Sequence, residues 1–87
     1  MIMDKKAVRI VGNFVSENTN RLGFSVYIVW KCKILHHWKY LISTDLEDGM
    51  YYELTFNGCK NEWYLDAYKK NKNVVITNDV IERLMEE

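Results

Sequence analysis

The run Phe24-Ser25-Val26-Tyr27-Ile28-Val29-Trp30-Lys31-Cys32-Lys33-Ile34 decides the fold class. Its even positions (Phe24, Val26, Ile28, Trp30, Cys32, Ile34) are apolar, while the odd ones (Ser25, Tyr27, Val29, Lys31, Lys33) carry most of its polar groups. Side chains alternate across a strand, so this period of two predicts a β-strand with one buried face. The same parity recurs on either side. Val8, Ile10, Gly12 and Phe14 predict a preceding strand, Trp38, Tyr40 and Ile42 a following one, and Met50, Tyr52, Leu54 and Phe56 a fourth.

Parity also constrains the turns, because a one-residue slip would turn an apolar set away from its neighbour's. A two-residue turn at Asp48-Gly49 would do this. A three-residue loop, Glu47-Asp48-Gly49 with glycine left-handed, pairs Leu46 with Met50 and Ile42 with Leu54 and is preferred. The turn near Leu35-His36-His37 holds no Gly or Asn, so its position is open to a few residues.

Residues 62–70, Glu-Trp-Tyr-Leu-Asp-Ala-Tyr-Lys-Lys, fit either a strand or an amphipathic helix. The strand is preferred, with Trp63, Leu65 and Ala67 inward and Tyr64, Asp66 and Tyr68 outward. Val74-Val75-Ile76 predicts a short strand. Asp79 with Glu82 three residues on gives a capping-box start for a helix over 79–87, whose stripe of Val80, Ile81, Leu84 and Met85 should cover the sheet. The expectation is a β-rich α+β fold. It is a meander of four to six antiparallel strands, able to curl toward a small barrel, covered by a C-terminal helix.

The whole chain, residues 1–87, fits one domain, with neither linker nor repeat. A domain of this size buries only about 60% of its unfolded surface, which accounts for a 14% aromatic content. Met1 to Lys6 hold no apolar signal core, and lysines interrupt the longest apolar run, so an intracellular, cytoplasmic protein without membrane contact is expected. Cys32 and Cys59 are then reduced thiols. Lys, Ile, Asn and Tyr make up 30 of 87 residues, and their A/T-rich codons associate the chain with a low-GC genome or its mobile elements.

Cys32, His36, His37 and Cys59 are chemically suited to zinc, yet their spacing lacks the paired ligands of structural sites, so no metal or other cofactor is expected. No nucleophile elbow, phosphate loop, dinucleotide fingerprint or metalloprotease motif occurs, and Asp45, Glu47 and Asp48 cluster where turn formers belong. A non-catalytic protein is expected.

Charge is the best functional lead. Lys plus Arg and Asp plus Glu balance at 12 each, but residues 1–40 hold seven basic and two acidic side chains (+5) and residues 41–87 five and ten (−5). Strand parity puts Lys31, Lys33 and Lys39 with Arg9 and Tyr27 at one end of a solvent face, and Tyr51, Glu53, Tyr64, Asp66 and Tyr68 at the other. Tyrosine is favoured at interface cores, and complementary charge steers encounter. The acidic set therefore predicts a protein-binding module for a partner with a basic surface. In concrete form this is a small inhibitor or accessory protein of a mobile element that occupies its partner's surface. The basic set predicts the alternative, single-stranded nucleic-acid binding through Arg9, Tyr27, Lys31, Lys33 and Lys39, with Lys33 opposite Lys39. The +5/−5 split also permits a homodimer.

Overall fold

The computed structural model describes residues 2–86. Four strands, β1 (Val26–Ile34), β2 (His37–Thr44), β3 (Met50–Asn57) and β4 (Glu62–Lys69), form an antiparallel meander in chain order. The sheet is open, with β1 and β4 as its edges; the barrel version of the expected fold is not formed. Residues 62–69 are a strand, with Trp63 and Leu65 half-buried and Tyr64, Asp66 and Tyr68 exposed as parity requires, although Ala67 is exposed too.

Register follows the expected parity but not the expected loop length. Ile42 faces Tyr52 and Tyr40 faces Leu54, so residues 45–49 form a longer connection than Glu47-Asp48-Gly49 alone. Its side chains explain why. Asp45 Oδ1 accepts the Ser25 N–H at 2.8 Å, Thr44 Oγ1 accepts that of Leu46 at 3.2 Å, and Asp48 Oδ1 accepts that of Met50 at 3.1 Å. Short polar side chains thus take up loop donors that a tighter hairpin would leave to the ladder. Gly49 has φ +69°, the left-handed conformation expected of it.

The largest departure lies at the N-terminus. Where Val8, Ile10, Gly12 and Phe14 predicted a strand, Ile2–Thr19 is a helix, α1. Ala7, Val11 and Val15 recur every four residues, and Ile10 and Phe14 widen that stripe. The stripe packs on one sheet face against Tyr40, Ile42, Tyr52 and Leu54, and these seven residues are the fully covered core. Each large side chain among them contributes about 1.5–3 kcal/mol by leaving water. Phe14 meets Tyr52 edge-on at 6.0 Å, and Thr19 and Asn18 bond back to the Val15 and Phe14 carbonyls where the helix ends. At the other end Asp4 accepts from Tyr40 Oη at 2.8 Å and pairs with Lys31 Nζ at 2.7 Å.

The cover expected from the C-terminal helix is therefore supplied by α1. Val74–Ile76 joins no ladder, so the short strand expected there is absent. The last helix, α2, spans Asn78–Leu84, with Thr77 in the cap position and no side-chain capping bond; the Asp79 capping box does not form. α2 buries none of its residues, and Glu87 lies outside the described residues. With this arm extended the radius of gyration is 16.5 Å, against about 12 Å for a compact chain of this length. Among the described residues no helix is long and apolar enough to cross a membrane.

Candidate functional site

α1 covers one face of the sheet and leaves the other open. The face is set by register: Tyr51 lies opposite Tyr68, Glu53 opposite Asp66 and Thr55 opposite Tyr64, on strands whose alternate residues (Tyr52, Leu54, Leu65) point into the core. The five residues of the acidic-aromatic set, Tyr51, Glu53, Tyr64, Asp66 and Tyr68, therefore share the open face of β3 and β4. Tyr64 and Tyr68 are 42% and 52% exposed. Glu53 and Asp66 are like charges directly opposite, an unfavourable cross-strand pair that a cation relieves. Lys39 on the neighbouring strand supplies one, 3.1 Å from Glu53 Oε1. Asp66 has no such partner among the described residues, and Tyr64 Oη donates to Glu62 Oε2 at 2.6 Å, which holds the Tyr64 phenol above its ordinary pKa.

The basic set is divided. Ile28 pairs with Ile42, but Trp30 pairs with Leu41, so β1 carries one extra residue around Val29. Such a bulge reverses the parity of everything after it. Lys31 now lies beside Tyr40 and Lys33 beside Trp38, both on the helix-covered face. Lys31 is tied to Asp4, and Lys33 Nζ sits 5.7 Å from the centre of the Trp38 ring. Lys39 faces Cys32 rather than Lys33, so the expected lysine pair does not exist. Tyr27 and Lys39 remain on the open face, while Arg9 projects from α1. The expected basic stripe is thus a correction: its five members are spread over a helix and both sides of the sheet.

The bulge also brings to the open face residues that alternation had placed inside. Trp30, Cys32 and Ile34 lie there beside Leu41 and Lys39, with Trp30 54% and Ile34 65% exposed. A signal for this existed. Val26-Tyr27-Ile28-Val29-Trp30 is an unbroken hydrophobic run within β1, with no charged residue to mark the faces where the alternation slips at Val29. The open face is therefore apolar along β1 and acidic with tyrosines along β3 and β4.

The histidines have structural work. His37 Nδ1 accepts the Gly58 N–H at 3.2 Å, and Gly58 packs so tightly on His36 that a Cβ there would lie 1.8 Å from the His36 carbonyl oxygen. Both cysteines are free thiols, and among the described residues no three His, Cys, Asp or Glu side chains are grouped to hold a metal. The arrangement presents aromatic area, carboxylates with spare acceptor capacity, and an apolar margin on one exposed face.

Compared with known proteins, residues 4–78 match the model of a family of unknown function, DUF6275. No curated protein and no solved structure matches the chain.

Proposed function

The chain belongs to DUF6275, a family of unknown function, and we propose that it is a non-catalytic protein-binding module whose open sheet face docks on a basic surface of its partner. One observation carries this reading: Tyr51, Glu53, Tyr64, Asp66 and Tyr68 occupy adjacent cross-strand positions on a face that no other element among the described residues covers. Rigid tyrosines on paired strands supply contact area at low entropy cost, and the Glu53–Asp66 pair gives the partner's cations a favourable place to land. The finer version is an inhibitor or accessory protein of a mobile element in a low-GC host. Its support is the chain's composition and a surface suited to blocking rather than converting. The dispersal of Arg9, Tyr27, Lys31, Lys33 and Lys39 weighs against a nucleic-acid track.

The test compares the immobilised wild-type chain with Tyr64→Ala/Tyr68→Ala and with Glu53→Lys/Asp66→Lys, all checked for intact fold by circular dichroism. Expected is a bound protein whose capture weakens with salt and falls about 30-fold or more in affinity with either double change, as interface anchors do. A partner held equally by all three proteins refutes the assignment of the face. Titration with labelled single-stranded DNA and RNA completes the comparison. Tight, salt-sensitive binding lost in Lys33→Glu/Lys39→Glu would replace the protein reading with the nucleic-acid one.

A further inference from the structure

We infer that residues 70–86 form an exchange arm, and that α2 of one copy seats in a groove between α1 and β1 of a second copy of this chain. The arm is unsatisfied as it stands. Val74, Val75, Ile76, Ile81, Leu84 and Met85 are all exposed, Val75 by 83%. α2 has two turns, and helices shorter than about 12 residues are marginal in water without tertiary packing. Something must cover its apolar side for the helix to persist.

The receiving surface is on the same chain. A cleft of about 480 Å³ runs between α1 and the start of β1, with Val8, Gly12, Leu22, Phe24 and Val26 giving an apolar lining and Arg9 a cationic wall. Gly12 keeps the helix side of this cleft open, because it has no side chain to fill it. A second hollow of about 350 Å³, lined by Val8, Arg9, Asp4 and Lys5, continues the cleft toward the helix N-terminus. Asp4 there is already engaged by Lys31, which leaves Lys5 and Arg9 as the free charges. α2 and its end carry the opposite sign, Asp79, Glu82 and Glu86 against Arg83. Apolar stripe meets apolar cleft, and acidic flank meets basic wall.

The second copy is favoured over the chain's own cleft by how the arm lies. It is unseated on its own chain, with α2 burying none of its residues and the radius of gyration at 16.5 Å. A two-fold partner presents an identical cleft, and the exchange is then reciprocal, as an isologous interface requires. The inference uses none of the five residues on the open face, so it stands or falls separately from the proposed binding role.

The test is the mass of the full chain in solution, by sedimentation equilibrium from about 1 to about 200 µM, a range in which weak dimers dissociate and form. Expected is a rise from 10.4 kDa to twice that value. Ile81→Asp/Leu84→Asp should remain monomeric with its sheet spectrum unchanged. The decisive experiment swaps charge. Arg9→Glu alone and Glu82→Arg alone should each self-associate about tenfold more weakly, while an equimolar mixture recovers a 1:1 dimer, because only the mixed pair satisfies both clefts. A wild-type chain that stays monomeric throughout overturns the inference, as does a dimer indifferent to Ile81 and Leu84 or a mixture that fails to recover. A monomer whose α2 amides resist exchange would show docking within one chain and would equally overturn it.

Discussion

The same substitution, glycine to alanine, should act with opposite sign at two positions. Gly12 lies inside α1, and a Cβ built there would meet only Val26 Cγ2 at 3.6 Å, ordinary van der Waals contact. Alanine gains about 1 kcal/mol over glycine in a helix interior, chiefly because the unfolded chain loses freedom. For a domain of this size the melting temperature should rise by about 4–8 °C. At Gly58 a Cβ would fall 1.8 Å from the His36 oxygen and 2.7 Å from its carbonyl carbon, both backbone atoms that cannot rotate away. The two hairpin connections must then separate. That costs the Gly58 N–H to His37 Nδ1 bond, about 1 kcal/mol, and a backbone displacement of about 2 kcal/mol. Gly58→Ala should therefore lower the melting temperature by about 12–24 °C. Thermal and urea unfolding followed by circular dichroism, on dilute monomeric protein, measures both. A loss of stability in Gly12→Ala would refute the helical packing of α1 on Val26, and a change at Gly58 within about 0.5 kcal/mol would refute the close approach to His36.

Two further perturbations probe the core and the ion pair at its edge. Leu54 is fully covered between Tyr40 and Leu65 on the adjacent strands, so Leu54→Ala should cost about 3 kcal/mol in urea unfolding; a loss below about 1 kcal/mol would contradict its burial. Asp4 is held below its ordinary pKa by hydrogen bonds from Lys31 and Tyr40. A carboxyl with a depressed folded value contributes stability that is complete above its unfolded pKa of about 3.9 and is lost as pH falls through the folded one. Urea midpoints at about pH 6 and about pH 2.5 should accordingly differ less in Asp4→Asn than in the wild type, and equal differences would exclude the contribution.

The strands that hold the open face were legible because each has one wet and one dry side. Tyr64, Asp66 and Tyr68 fall outside for the same reason that Trp63 and Leu65 fall inside. Parity cannot measure loop length in steps of two, so the Glu47-Asp48-Gly49 loop kept the right faces with the wrong register. α1 was hidden by coincidence. Ile10 and Phe14 belong to both an alternating set and a helical stripe, and only Ala7, Val11 and Val15 separate the two. The open face was legible in its acidic half, where strands run unbroken, and illegible in its basic half, where one extra residue in β1 moved Lys31 and Lys33 behind the sheet. Lys31→Glu, which alternation would recommend as a clean surface probe, would instead set a second carboxylate against Asp4.

That extra residue gives the chain an unusual economy of variation. Beyond Val29 the strand alternates strictly, Trp30-Lys31-Cys32-Lys33-Ile34, so either set of side chains can face either way without breaking the β-pattern. Pairing Val29 with Leu41, instead of leaving it as the extra residue, would exchange them, bringing lysines to the open face and the indole and thiol beneath it, while β2, β3 and β4 kept their pairing. Whether that margin of the molecule is oily or cationic therefore hangs on how one residue of β1 is accommodated, a lever by which a one-residue shift of the β1–β2 register could change the character of the open face without rebuilding the rest of the sheet.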